Sequence, residues 1–175
     1  PRNNVNEKIL IDYSKAGINR ISFGIQDFDK KVGKAINRTH TYDEIKSLLT
    51  DTVRKKFRSI NFDLLYGLPF QTLDSLKKTL EIISWLKPTR LAYYSFQHRP
   101  DLYRHQTAIN SGNLPDVELK NAMNLLIQDE LKRMNYKKLG LDHYINEDDY
   151  FYKDLILKKI LNEMLLVIHQ IHLII

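Results

Sequence analysis

The chain has 175 residues, 43% hydrophobic and 27% charged, a length suited to one domain and a composition too apolar for disorder. Its 27 basic and 21 acidic residues leave a charge of +6, scattered and not clustered, so no nucleic-acid partner is expected. Cysteine is absent, which excludes disulfides, thiolate catalysis and any Cys-ligated metal or iron–sulfur site built from this chain. The amino terminus lacks a basic-then-apolar signal segment, and Pro1 in place of an initiator methionine points to a piece of a longer protein.

Apolar spacing predicts a helix over 5–16, with Ile9, Leu10, Tyr13 and Ala16 near one face and Gly17 as its stop. Residues 20–25 read as a strand. Thr41 and Glu44 make a capping box, and the helix that follows carries Ile45, Leu48, Leu49 and Val53 on one face. Residues 59–65 form a second strand, ended by Tyr66-Gly67-Leu68-Pro69. Thr72 caps a helix whose buried face is Leu76, Leu80, Ile83 and Leu86, and residues 90–96 form a third strand after Pro88. Residues 101–115 are a polar loop. Asp116 then caps a long helix with Leu119, Ala122, Met123, Leu126 and Met134 facing inward, and 138–143 suggest a short strand and turn.

Strands separated by helices imply crossover connections and a parallel sheet. The fold class is therefore α/β, half of a (β/α) barrel, with functional loops at the carboxyl ends of the strands. Residues 1–100 form the partial barrel, 101–153 continue the core, and 154–175 are an apolar tail. Residues 155–175 hold 14 Leu, Ile, Val and Met against one acid, Glu163. The unbroken part after Glu163 is too short to span a bilayer, so no membrane is expected; a buried helix, an interface helix and a non-native tail all remain open.

Three polar groups follow the strands: Gln26-Asp27, Asp63, and Gln97-His98. In a parallel barrel they converge on the mouth. Taken singly, a Gln or Asp after a strand commonly caps a turn. Asp63 differs because it lies in an apolar run and needs a partner or a ligand. Arg38 is a candidate for that partner, or for a bidentate grip on a carboxylate ligand. His40, His98 and His143 are candidate metal ligands or proton carriers, but their spacing fits no metal motif, so no metal is expected. Asp142-His143 is an acid–imidazole pair whose side chains a strand would point apart.

The runs Gly17-Ile-Asn-Arg-Ile-Ser-Phe-Gly-Ile-Gln26-Asp27-Phe28, Asn37-Arg38 and Ile60-Asn-Phe-Asp63-Leu-Leu-Tyr-Gly-Leu-Pro69-Phe-Gln-Thr72 together resemble the oxygen-independent coproporphyrinogen III oxidase (dehydrogenase) family of radical S-adenosylmethionine enzymes. The likeness covers about residues 1 to 153. A sister group of heme chaperones shares some blocks. Asp27-Phe28, His98 with Pro100, and Gly140-Leu-Asp142-His143-Tyr144 are more similar to the oxidase.

The resemblance implies a partial radical-enzyme barrel, S-adenosylmethionine and a [4Fe–4S] cluster as cofactors, and coproporphyrinogen III as substrate in cytoplasmic heme biosynthesis. Gln26, Arg38, Asp63 and Gln97 fall on the family's S-adenosylmethionine-binding positions; Gln97 stands where relatives often have Ala, so a contact there would run through the backbone. The family holds its cluster with a CxxxCxxC motif that this chain lacks, so the chain alone is expected to be inactive. The alternatives are the related heme chaperone and an inactive remnant or interaction module.

Overall fold

The computed structural model describes residues 5–158. The elements are α1 (Glu7–Lys15), β1 (Arg20–Gln26), α2 (Lys30–Ala35), α3 (Tyr42–Leu48), α4 (Asp51–Lys56), β2 (Ser59–Tyr66), α5 (Leu73–Leu86), β3 (Arg90–Ser95), α6 (Val117–Arg133), β4 (Lys137–Leu139) and β5 (His143–Ile145). A helical stretch over 150–158 follows. The apolar tail read over 154–175 lies outside the described residues beyond 158. Among the described residues no helix is long and apolar enough to cross a membrane.

The strand order is β1-β2-β3-β5-β4. The first three strands are parallel and joined by helical crossovers, while β5 runs antiparallel to β3 and to β4. The sheet stays open, with β1 and β4 at its edges. The parallel half follows the sequence expectation, and the turn at Gly140 (φ 76) adds an antiparallel hairpin.

Strand alternation divides the sheet into two chemically distinct faces. Phe23, Ile25, Ile60, Phe62, Leu64, Leu91 and Tyr93 are buried with Leu76, Leu80, Ile83 and Leu86 of α5 and Met123, Ile127 and Leu131 of α6. Phe23 and Phe62 meet edge to face, ring centres 6.0 Å apart. The opposite face carries Ser22, Asn61, Asp63, Tyr94 and His143. The register places Gly24, Asp63, Ala92 and His143 side by side on it.

Local signals position the helices. Thr41 and Thr72 each close a capping box, and Asp116 accepts from the Leu119 amide. The single helix expected after Thr41 is two, α3 and α4. Thr50 caps the second by accepting from the Val53 amide, so a side-chain acceptor breaks a run whose apolar spacing continues through it. The expected polar loop over 101–115 contains two short 3₁₀ turns, Arg104–Ala108 and Ser111–Asn113. On α6 the deepest residues are Met123, Ile127 and Leu131, an i+4 row, while Leu119, Leu126 and Met134 pack only partly buried at its margin. A short α2 was not expected. It is capped by Asp29, which accepts from the Lys31 and Val32 amides.

The amino ends of β2 and β3 are tied to the segment after β5. Asp149 is fully buried and accepts from Thr89 Oγ1 at 2.9 Å, Arg90 Nε at 3.2 Å and the Phe151 amide at 2.8 Å. Burial pushes its carboxyl up, but Ser59, the Phe151 amide, Thr89 and the Arg90 charge together hold it below the ordinary value.

Candidate functional site

At the carboxyl end of β1 the pairing slips: Gly24 lies opposite Asp63, and Gln26 lies opposite Leu64. Gln26 takes a left-handed backbone (φ 69), and the Asp27 amide donates back to the Ile25 carbonyl at 2.9 Å. This three-residue turn has the strained hand. It lays the Gln26 side chain over Gly24, where an added Cβ would come within 3.2 Å of Gln26 Nε2.

Arg38 arrives from the loop after α2. The loop folds back tightly: the Arg38 amide donates to the Gly33 carbonyl at 2.8 Å, and Asn37 is left-handed (φ 53). A Cβ on Gly33 would collide with the Arg38 carbonyl oxygen, so this close approach requires glycine.

Gln26 and Arg38 share one open cavity of about 1290 Å³, walled also by His40, Leu65, Leu68 and Phe96. Lys34 joins Arg38 in its lining, with no carboxylate among the described lining residues. Burial is the leading influence and, with the Arg38 charge in the same direction, holds the His40 imidazole below its ordinary value despite Glu44, which favours the neutral ring. The cavity therefore combines a cationic end, neutral hydrogen-bonding groups and apolar walls. That set suits a ligand with a carboxylate and a flat or aliphatic body.

The other two predicted residues lie outside this lining. Asp63 is half-buried on the open face of β2. It accepts from Ser22 Oγ at 2.6 Å and from Asn61 Nδ2 at 2.8 Å. Its partners are thus sheet neighbours and not Arg38, because alternation and register put Ser22 and Asn61 beside it on one face. Gln97 is exposed, its side-chain amide 3.3 Å from Ser95 Oγ.

Of the other polar residues singled out at the mouth, Asp27 turns away from the opening and into the core, with 1% of its surface exposed. His98 stacks on Phe96, and one ring nitrogen lies 3.3 Å from the Gln106 carbonyl. Asp142 and His143 serve separate partners: the Asp142 carbonyl accepts from the Tyr93 amide, and the His143 ring meets Tyr94 edge to face. Among the described residues no group of three or more His, Cys, Asp or Glu is placed to hold a metal ion.

Gln71 and Thr79 were missed in the sequence. Gln71 is 2% exposed; its carbonyl accepts from the Gly67 and Leu68 amides, and its amide donates to Asp27. The available signal was a Gln standing directly before the Thr72 cap, four residues after a left-handed Gly67 (φ 82). Gly67 has its own reason to be glycine. The Lys120 stem occupies the place of its missing Cβ, 2.6 Å away, so that Lys120 Nζ reaches the Phe96 carbonyl at 2.9 Å.

Comparison with known proteins matches this architecture. A sequence model described as the Radical SAM superfamily fits residues 2–83. An oxygen-independent coproporphyrinogen III oxidase from Pseudomonas aeruginosa is 38% identical over 133 residues, 76% of this chain and 29% of that protein. The protein of that name from Thermostichus vulcanus is 34% identical over 145 residues, 83% of this chain and 45% of its own length. The solved structure of coproporphyrinogen III oxidase from Escherichia coli, described as a Radical SAM enzyme, superposes with a TM-score of 0.81 at 32% identity. It covers 86% of this chain and 35% of that one.

The open, parallel-rich sheet and these matches place the chain in the Radical SAM superfamily. Within it, the chain belongs to the oxygen-independent coproporphyrinogen III oxidase family, as a partial member. It spans between 29 and 45% of the length of those curated relatives.

The superfamily implies S-adenosylmethionine and a [4Fe–4S] cluster in the parent enzyme, and the two fit this chain differently. No cysteine is present and no metal-holding group forms among the described residues. The residues of this chain therefore do not fit a cluster. The cavity's cations fit a ligand carboxylate, and the Gln26 amide and the apolar walls fit a nucleoside body.

Proposed function

We propose that this chain supplies part of the S-adenosylmethionine-binding side of an oxygen-independent coproporphyrinogen III oxidase. The parent reaction is the oxidative decarboxylation of two propionate side chains of coproporphyrinogen III to the vinyl groups of protoporphyrinogen IX, in cytoplasmic heme biosynthesis. S-adenosylmethionine, when bound beside a reduced cluster, supplies the 5′-deoxyadenosyl radical in this family.

The residues of this chain have narrower tasks. Arg38 offers a planar two-point donor for the methionyl carboxylate. Gln26 offers an amide that both donates and accepts. Asp63, held by Ser22 and Asn61, keeps lone pairs for a hydroxyl or an ammonium group. Gln97 contributes its backbone at the end of β3. Leu65, Leu68 and Phe96 keep water from the apolar part of the ligand. Lacking thiolates for the cluster, the chain by itself carries out no reductive cleavage.

One observation carries this reading: Gln26 and Arg38, on separate elements, line one cavity, a neutral amide and a cation for the ligand's polar groups and its carboxylate. Equilibrium dialysis of the full chain with S-adenosylmethionine tests it. Saturable binding is expected, weakened about tenfold or more in Arg38→Ala, as for the loss of a charge-assisted bidentate contact. Absence of saturable binding, or equal binding by Arg38→Ala, overturns the reading.

A further inference from the structure

Asp27 and Gln71 form a hydrogen-bonded hub directly behind the cavity wall. Gln71 uses its full capacity. Its carbonyl oxygen accepts from the Gly67 and Leu68 amides at 2.7 and 3.2 Å. Its amide nitrogen donates to Asp27 Oδ2 at 2.6 Å and to the Leu65 carbonyl at 3.1 Å. The other oxygen of Asp27 accepts from Thr79 Oγ1 at 2.9 Å and from the Asp29 amide at 2.6 Å. Asp27, Gln71 and Thr79 are 1, 2 and 0% exposed.

The partners of Asp27 in this hub are neutral donors. Burial is the leading influence on its carboxyl, pushing it up, and the hydrogen bonds from Asp29, Thr79 and Gln71 oppose that. A carboxyl group in such a place is costly, and apolar side chains of similar volume would fill the space without that cost. What the hub does that an apolar plug would not is fix backbone directions. It reaches three elements at once: the end of β1, the loop after β2, and α5. Gln26, Leu65 and Leu68, which line the cavity, are each adjacent to or directly bonded within the hub. Gln26 also holds a left-handed turn, which persists only where its surroundings over-determine it.

We propose that Asp27 is a positioning residue: acting through Gln71 and Thr79, it fixes the Gln26 turn and the loop over 65–68, and so sets the cavity's affinity without touching the ligand. This rests on the cavity being the S-adenosylmethionine site, and deepens that reading. It assigns to Asp27 a role different from that of Arg38, which faces the ligand.

The test uses the full chain with two readouts, S-adenosylmethionine binding by calorimetry and amide hydrogen exchange without ligand. Asp27→Asn places an amide donor among groups that already donate. It is expected to raise Kd about tenfold, as loss of an outer-shell support does. It also speeds exchange at Gly67 and Leu68 about tenfold, while amides in the middle of α6 keep their protection. Thr79→Val removes the donor to Asp27 and the acceptor of the Phe28 amide at nearly constant shape and gives the same pattern at about threefold; it decides the matter if Asp27→Asn does not fold.

A merely structural hub would lower protection throughout and leave the affinity of the folded fraction unchanged. Kd within about twofold of wild type in the folded variants, or unchanged exchange at Gly67 and Leu68, overturns the proposal. A wild-type chain that binds no S-adenosylmethionine overturns the cavity reading instead. The exchange readout needs no ligand and then decides whether Asp27 holds the wall in place.

Discussion

At the two ends of the strands the sheet buries an aspartate, and the pair are handled in opposite ways. Asp149, at the amino ends of β2 and β3, faces the Arg90 guanidinium and three further donors, and its carboxyl is held below the ordinary value. Asp27, at the carboxyl end of β1, accepts from neutral donors, and burial pushes its carboxyl up. The first arrangement compensates its charge and staples the segment after β5 to the sheet. The second leaves the charge poorly compensated and lies against the cavity. We infer that the amino end is built for holding the fold and the carboxyl end for placing groups, the division of labour expected of a parallel barrel.

Asp149→Ala strands Arg90, takes the Asp149 acceptor from the Ser59 hydroxyl and leaves the Thr89 hydroxyl only the Ile60 carbonyl at 3.4 Å. Urea unfolding should show a loss of about 3 kcal/mol, in the range for removing one partner of a buried pair. A loss below about 1 kcal/mol would mean that the amino end is no better held than an exposed ion pair.

A carboxyl lowered by folding contributes stability that is present above its unfolded value of 3.8 and is lost as pH falls through its folded value. A raised one does the reverse, so the contribution of Asp27 diminishes as pH climbs from 3.8 through its folded value. Melting temperatures across the acid range should therefore separate the variants. Asp149→Asn flattens the loss on the acid side, and Asp27→Asn removes a loss on the less acid side. Identical profiles would contradict the opposite assignments.

Tyr93 offers a smaller effect of opposite sign. Its hydroxyl is buried with no hydrogen-bond partner among the described residues, and burial followed by the charge of Asp27 pushes its pKa well up. Tyr93→Phe deletes an unsatisfied polar group at constant shape and should stabilise the chain by about 1 kcal/mol; destabilisation would show that the hydroxyl is bonded in solution. Arg38→Ala should change stability least, by less than about 0.5 kcal/mol, because the side chain is exposed. A large loss of stability there would place Arg38 in the scaffold and not at a ligand.

What the sequence made legible was local. The Thr41, Thr72 and Asp116 caps, the three parallel strands and the α5 face all follow from patterns within a few residues. The break at Thr50 was hidden because the apolar spacing of Ile45, Leu49 and Val53 runs through it. The α2 helix was hidden because Lys30–Ala35 is too short for a period to show. Contacts between distant residues were out of reach: Thr79 is 52 positions and Gln71 44 positions from Asp27, and no spacing rule joins them. The same distance defeated the suggested Arg38–Asp63 pair, since only the register reveals Ser22 and Asn61 beside Asp63. Gln26 stands out by its place after a strand and Arg38 by its capacity to grip a carboxylate; the whole motifs add only the kind of ligand.

We propose that this chain carries ligand-holding groups of a radical enzyme without the thiolates that hold its cluster. Anaerobic reconstitution with iron and sulfide, followed by reduction in the presence of labelled S-adenosylmethionine, tests both halves at once. Label is expected to stay on the chain as intact S-adenosylmethionine, with no iron–sulfur absorption and no 5′-deoxyadenosine. Formation of 5′-deoxyadenosine by the isolated chain, or failure to retain the label at all, would contradict it.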